Sequence, residues 1–218
     1  MPRDNHPRER QARALQRKKG RRPPYDRVLI VCEGSKTEPL YFDDIRIQNR
    51  VPSVHIKVEH SQYGTQPLQV VKSARDKFKE TCDFEWVFAV FDRDGHDGYH
   101  GALQLAQSLD NTLRNNEKKK VRFVAVPSVP CFELWLLLHY ADIQAYFHRD
   151  EIIARLGRHI PGYAKGAMGV YGITQPHLQT ATDRAQRLQQ SSDPFTGDEA
   201  YTNVDIVVTL LQTIRPRL

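Results

Sequence analysis

Two patterns of hydrophobic and polar positions alternate along the chain. Apolar runs rich in β-branched and aromatic residues cover 27–32, 85–91 and 122–126, and the residues over 54–58 alternate between apolar and polar. The first two runs stop abruptly at acidic residues, as buried parallel strands do when they deliver side chains to their carboxyl ends. All four segments are predicted to be strands.

Between the strands, apolar residues recur three or four positions apart, which is typical of one buried helix face. Thr37 is predicted to be the N-cap of a first helix, with Pro39 in its first turn. A second helix is predicted to begin behind Pro67 and a third to cover 102–113. Strands that alternate with helices of this length predict an α/β fold with a mainly parallel sheet flanked by helices.

The pattern changes where Pro127 and Pro130 interrupt it. The next stretch, 131–140, is strongly apolar and predicts a buried helix that carries one carboxylate, Glu133. His139 lies at the end of this helix, where an imidazole is expected to interact with the last carbonyls rather than to act in catalysis.

The chain is therefore predicted to have three parts. Residues 1–24 are almost free of apolar side chains and are expected to be a disordered basic arm. Residues 25–140 form the α/β core, and 141–218 form a helical extension packed on it. Thr202 and Asp205 have the spacing of a capping box and predict the start of the last helix.

The positive charge is concentrated in the arm. Residues 1–22 carry nine Lys or Arg and two acids, so a total of +6 leaves the rest of the chain at −1. A solvated tail and a nucleic-acid-binding arm fit this composition equally well, since basic arms bind phosphates without folding. The arm's candidate phosphate contacts are Arg17, Lys18, Lys19, Arg21 and Arg22.

The cysteines favour a reducing compartment. Cys32, Cys82 and Cys131 are odd in number, far apart and surrounded by apolar residues, which is typical of reduced core thiols. No window has the apolar length of a membrane span, and the first residues lack the apolar core of a secretory signal. The protein is expected to be soluble and cytoplasmic.

Acidic residues end the two most apolar strands. Asp92 and Asp94 form a D-x-D at the end of the run 85–91, and Glu33 ends the run 27–32. At the carboxyl edge of a parallel sheet these three carboxylates would face one crevice, where α/β folds bind their ligands. Hard oxygen ligands at this spacing suit Mg²⁺ or Mn²⁺. An ordinary acidic loop fits the D-x-D alone equally well.

Other charged residues are candidate partners of this site. Glu133 is predicted to face the crevice or a basic residue, because a buried and unpaired glutamate is costly. Lys165 lies in a glycine-rich loop and either stabilises charge on a phosphate or is solvated. Lys36 and Arg93, next to the acidic strand ends, are candidate contacts to backbone phosphates.

Several separated motifs together resemble a known family, the RloB-like proteins, which include the second component of the AbiL abortive-infection system. The resemblance runs from about residue 26 to the C-terminus. Its motifs, in chain order, are Glu33-Gly34-x-x-Thr37-Glu38, Phe91-Asp92-Arg93-Asp94, Pro130-Cys131-Phe132-Glu133 with the apolar residues up to Tyr140, Tyr163-x-Lys165, and Thr202-Asn203-Val204. The resemblance implies a Toprim-like fold, shared with topoisomerases, bacterial primases and OLD-family nucleases.

The resemblance also implies roles for individual residues. Glu33 would be a metal ligand or general acid/base, and Asp92 and Asp94 would hold Mg²⁺. Glu38 matches the acid that OLD-type nucleases use for a second metal, at a spacing one residue longer. Val129 departs from the family pattern, in which asparagine is expected before the Pro-Cys-Phe-Glu segment.

Three functions remain open from the sequence. The first is a metal-dependent nuclease, acting on RNA or DNA as a prokaryotic anti-phage defence effector and perhaps encoded beside an ATPase. The second is a non-catalytic, metal- or phosphate-binding regulatory subunit of a defence ATPase complex. The third is another D-x-D chemistry. Sugar transfer gives no reason for the Glu33-Gly34 pair, and phosphoryl transfer of the haloacid-dehalogenase type places its D-x-D after the first strand, whereas here it follows the third.

Overall fold

A computed structural model describes residues 26–93, 98–195 and 199–214 of the 218 residues. The predicted arm, 1–24, and Asp94 lie outside the described residues. In chain order the elements are β1 (Val28–Cys32), α1 (Thr37–Gln48), β2 (Ile56–His60), α2 (Pro67–Thr81), β3 (Trp86–Asp92), α3 (Tyr99–Leu109), β4 (Arg122–Val129), α4 (Glu133–Leu138), α5 (Arg149–His159), α6 (Val170–Thr174), a 3₁₀ turn (Gln175–His177), α7 (Leu178–Ser191), β5 (Tyr201–Thr202) and α8 (Val204–Thr213).

Across the described residues, the strands form one sheet in the order β2-β1-β3-β4-β5. The first four are parallel, and β5 pairs antiparallel with the end of β4. The predicted α/β fold with a mainly parallel sheet flanked by helices is confirmed, and it is consistent with a Toprim-like fold. Strand β1 lies between β2 and β3, with every residue buried, which explains its unbroken apolar sequence.

Each face of the sheet has its own hydrophobic core. Val28, Ile30 and Cys32 point to a core shared with α1, α4 and the helices α5 to α8. Leu29 and Val31 point the other way, to a core shared with α2 and α3. Because successive side chains of a strand alternate between faces, β1 anchors both layers. The larger core joins the C-terminal helices to the sheet.

Several predicted boundaries need correction. Thr37 is the first residue of α1 and Lys36 is its N-cap, so the predicted Thr37 cap is wrong; the Thr37 hydroxyl accepts a hydrogen bond from the Gly166 amide instead. Thr202 belongs to β5, and Asp205 accepts a hydrogen bond from Gln189. The predicted capping box is therefore wrong: Asn203 is the N-cap of α8, and the hydroxyls of Thr202 and Ser128 are hydrogen-bonded to each other at 3.1 Å.

The helix α4 is shorter than the predicted 131–140 and is buried throughout. His139 follows it, and its Nδ1 donates to the carbonyls of Trp135 and Leu136 at 3.0 and 3.2 Å. This confirms the predicted contact with the last carbonyls of the helix. Over the described residues, no helix combines the length and apolar character needed to cross a bilayer.

Candidate functional site

A cleft opens at the carboxyl ends of β1 and β3, with a volume of about 240 Å³. Four acidic and three basic side chains line it, and both the α/β core and the C-terminal region contribute to its walls. The lining residues are Glu33, Gly34, Ser35, Lys36, Thr37, Glu38, Thr65, Asp92, Phe132, Glu133, Arg149 and Lys165. The cleft therefore brings together the predicted residues Glu33, Glu38, Asp92, Glu133, Lys36 and Lys165.

The pairing of β1 with β3 positions the first two acids. Cys32 is in register with Val90, so Glu33 and Asp92 emerge at the same edge of the sheet. The Glu33 carboxylate crosses between the strands and accepts a hydrogen bond from the Asp92 amide at 2.8 Å. Asp92 is buried, and burial, followed by the negative charges of Glu38, Glu33 and Glu133, raises its pKa well above the usual range.

Glu38, in the first turn of α1, folds back onto the loop that follows β1. A methyl group added at Gly34 would lie only 2.5 Å from Glu38 Oε2, so any larger residue there would push the end of the Glu38 side chain aside. Burial and the nearby Glu133 raise the pKa of Glu38, while hydrogen bonds from its own amide and the Gly34 amide oppose that rise. The Glu38 carboxylate is thus held at the cleft wall by backbone donors.

Glu133 enters the cleft from the start of α4 and is 2 % exposed. The Tyr163 hydroxyl donates to Glu133 Oε1 at 3.4 Å, and Lys165 Nζ lies 3.9 Å from the same oxygen. Burial and then the Glu133 charge raise the pKa of Tyr163, which keeps its hydroxyl protonated as a donor. The sequence predicts that Glu133 faces the crevice or a basic residue; in the structure it lines the cleft and lies beside Lys165.

The loop that carries Lys165 is docked on the loop that carries Lys36. The Gly166 amide donates to the Thr37 hydroxyl at 3.0 Å, and the Lys36 side chain packs against Gly166, which has a φ of +80°. Lys165 itself is exposed at the cleft rim. Two loops whose contacting residues, Thr37 and Gly166, are 129 positions apart therefore form one wall of the cleft.

Arg149 lines the cleft although the sequence analysis did not single it out. It is the first residue of α5, and its Nη2 lies 3.2 Å from Asp92 Oδ2. It lies 57 positions after Asp92, in a polar segment without a clear apolar period. The only sequence signal was indirect, since several buried acids require a neighbouring cation.

The other predicted site residues lie away from this cluster or outside the described residues. Arg93 is described, and its guanidinium lies over the Tyr99 ring, 5.2 Å from the ring centre, rather than in the cleft lining. Asp94 is outside the described residues, as are the basic arm residues Arg17, Lys18, Lys19, Arg21 and Arg22. Their predicted roles in metal and nucleic-acid binding stay predictions.

The donors of the cleft suit a hard divalent cation in kind. Asp92, Glu33, Glu38 and Glu133 all offer carboxylate oxygens, and Mg²⁺ and Mn²⁺ prefer such ligands. Among the residues that the structure describes, however, no three His, Cys, Asp or Glu side chains converge as a preformed metal site. Glu33 accepts a hydrogen bond from the Asp92 amide and Asp92 pairs with Arg149, so one oxygen of each carboxylate already has a partner within the protein.

The comparisons with known proteins give one match. The family model described as RloB-like protein matches residues 28–211, from the start of β1 into α8. Neither the curated proteins nor the solved structures contain a significant match to the chain. The matched range includes every residue of the cleft.

Proposed function

The chain belongs to the RloB-like protein family, and from this premise we propose that it is a metal-dependent nuclease that acts as an effector of anti-phage defence. The observation that carries the proposal is the cleft, in which four carboxylates and three cationic side chains meet at the carboxyl edge of a parallel sheet. Acids of this kind hold Mg²⁺ or Mn²⁺, and cations bind phosphates.

The proposed roles follow from position. Asp92 and Glu33 end adjacent strands and would be the inner metal ligands, with Asp94 as the expected third and Glu38 as the candidate for a second ion. A bound divalent cation would neutralise phosphate charge and lower the pKa of a coordinated water. Glu133 is the candidate proton-transfer group, since its carboxylate is buried beside the Tyr163 hydroxyl.

Lys165 and Lys36 are proposed to bind the substrate backbone at the cleft rim. Both side chains are exposed, and both line the same cleft as the acids. A cation at the rim can contact one phosphate of the nucleic acid while the next phosphate lies deeper in the cleft. This contact would orient the nucleic acid for hydrolysis. Phosphate contacts read neither the base nor the 2′-hydroxyl that separates RNA from DNA, so both are tested as substrates.

The direct test uses the purified chain with labelled RNA and DNA and with Mg²⁺ or Mn²⁺, beside Asp92→Asn. We expect metal-dependent cleavage that chelation by EDTA stops and that the variant lacks. Equal cleavage by the wild-type protein and Asp92→Asn would exclude this centre as its source. The matched control is Asp183→Asn, which neutralises an exposed acid of α7.

One observation favours the second function, a non-catalytic subunit of a defence ATPase complex. Arg149 already pairs with Asp92, so this buried acid has a cationic partner without a metal. Adding a co-encoded ATPase separates the alternatives. Cleavage that begins only with the ATPase indicates a gated nuclease, whereas metal binding without cleavage under either condition indicates the regulatory subunit.

A further inference from the structure

The contact between Arg149 and Asp92 joins the first residue of α5 to the last residue of β3. Among the cleft-lining cations, Arg149 is the one within ion-pair distance of Asp92. The Asp92 side chain is 9 % exposed and that of Arg149 is 28 % exposed. The acid is therefore enclosed, while the guanidinium reaches it from the solvent side of the cleft.

This geometry differs from that of a sealed structural ion pair. Arg149 contacts Asp92 through Nη2, and a guanidinium has five N–H donors arranged for two-pronged contacts to carboxylates and phosphates. Its side chain is 28 % exposed, so part of it is in contact with solvent. An anion bound near Asp92 would lie within its reach.

The Asp92 carboxylate would bind both the Arg149 guanidinium and the proposed metal ion. The oxygen bonded to Arg149 belongs to the residue that ends β3, where the proposed function needs a metal ligand. A metal ion on Asp92 would repel the guanidinium at this short range. Metal binding and the ion pair are therefore coupled with opposite sign, provided that the proposed function is correct.

We infer that Arg149 is a substrate-binding residue that is held on Asp92 until a metal ion takes its place, and that it then binds the phosphate of a nucleic acid. The inference rests on the proposed function. It assigns two roles to one side chain. Arg149 opposes the metal before substrate binds, and it attracts the substrate afterwards.

The two roles predict effects of opposite sign for Arg149→Gln. Without the guanidinium, Asp92 is free for the metal, and we expect Mn²⁺ to bind about three- to tenfold more tightly, where tenfold corresponds to about 1.4 kcal/mol. The same variant loses a phosphate contact, so a single-stranded oligonucleotide should bind about tenfold more weakly. If Arg149 were purely structural, its replacement would weaken the binding of both Mn²⁺ and the oligonucleotide.

The test measures Mn²⁺ affinity by calorimetry and oligonucleotide affinity by fluorescence anisotropy, the latter in Ca²⁺ to suppress cleavage. Arg158→Gln is the matched control, because it removes an exposed positive charge from the same helix. It should change either affinity by less than about twofold, in line with the small effect of an exposed charge. Arg149→Lys keeps the charge without the fork, so it should retain near-wild-type Mn²⁺ affinity but lose oligonucleotide affinity.

The outcomes separate this inference from the function on which it rests. If the wild-type protein binds no Mn²⁺, the proposed metal centre fails and the inference fails with it. If the wild type binds Mn²⁺ but Arg149→Gln binds it equally or less tightly, only the role of Arg149 is overturned. Tighter Mn²⁺ binding with unchanged oligonucleotide affinity also overturns it. Circular dichroism melting of each variant shows whether it is folded.

Discussion

The Thr37 hydroxyl accepts a hydrogen bond from the Gly166 amide at 3.0 Å and so ties the first loop of the sheet to a loop of the C-terminal region. Glu38 follows Thr37, and Lys165 precedes Gly166. This contact, together with the packing of Lys36 against Gly166, holds an acid of the cleft near a cation at its rim. The cleft is built jointly by the α/β core and the C-terminal helices.

Thr37→Val removes this acceptor while keeping the shape of the side chain. We expect the free energy of unfolding to fall by about 1 kcal/mol, the usual contribution of one hydrogen bond. Hydrogen exchange at the Gly166 amide should become faster, since its partner is gone. Thr209→Val, an exposed change on α8, serves as the control. Unchanged exchange at Gly166 would mean that the loop is held in place by other contacts.

Gly34→Ala tests the packing of the Glu38 carboxylate against the backbone. The new methyl group would lie 2.5 Å from Glu38 Oε2, but the end of this side chain can turn away. We therefore expect a loss of only about 1 kcal/mol in unfolding free energy, for the lost backbone hydrogen bond. Metal affinity should fall as far as in Glu38→Gln, because the carboxylate leaves the cleft wall.

The double variant Gly34→Ala/Glu38→Gln makes this prediction specific. If the methyl group acts only by displacing Glu38, the double variant should bind Mn²⁺ no more weakly than either single one. Additive losses would show that Gly34 has a separate role. Gly101→Ala is the control, since a methyl group there meets nothing within 4 Å.

The meeting of Glu33 and Asp92 could be predicted from the sequence. Each follows a short apolar run rich in β-branched or aromatic residues, which indicates a buried strand, and parallel strands end at one edge. Glu133 could be predicted too, because a lone carboxylate in an apolar helix needs a polar environment. For these residues, burial of the surrounding segment explains both the apolar sequence pattern and the position of the acid in the fold.

The remaining wall of the cleft could not be predicted in this way. Arg149 and Thr37 find their partners through contacts between distant segments, and neither lies in a periodic apolar pattern. Strand β5 has two residues, too few for any alternation to register. Its pairing with β4 also uses Thr202, whose spacing to Asp205 imitates a helix cap. Sequence patterns over a few neighbouring residues do not predict such contacts between distant segments.

Neutralising the acids of the cleft should separate activity from stability. Burial and neighbouring carboxylates raise the pKa of Asp92, so its charged form costs stability at pH values above that raised pKa. We expect Glu33→Gln and Asp92→Asn each to lower activity at least about a hundredfold, because losing even a residue that only supports a metal ligand costs about 10- to 100-fold. The melting temperature should stay equal or rise.

The pH dependence provides the check on that prediction. As the pH falls through the raised pKa, wild-type Asp92 takes up a proton and the advantage of Asp92→Asn should shrink. Melting curves at several pH values measure this difference. A variant that is much less stable than the wild-type protein at neutral pH would instead indicate that the acid is structural.

The basic arm should act through charge alone. Replacing residues 1–22 by a Gly/Ser segment of equal length removes nine Lys or Arg. If the arm binds phosphates, nucleic-acid affinity should fall and its dependence on salt concentration should become less steep, because fewer counterions are released. The melting temperature should not change. An identical salt slope would reduce the arm to a solvated tail.

His139 should make stability depend on pH below neutrality. It is 2 % exposed, and burial, with help from the positive charges of His177 and Arg184, lowers its pKa from 6.5 to about 4. Between pH 6.5 and about pH 4, His139 is therefore protonated in the unfolded chain but neutral in the folded protein. The free energy of unfolding keeps its full value above pH 6.5. It falls by up to about 3 kcal/mol as the pH drops toward 4, because protonation favours the unfolded chain. Denaturant titrations at pH 7 and pH 4.5 should show this loss in the wild-type protein and in His60→Gln, an exposed control, but a smaller loss in His139→Gln.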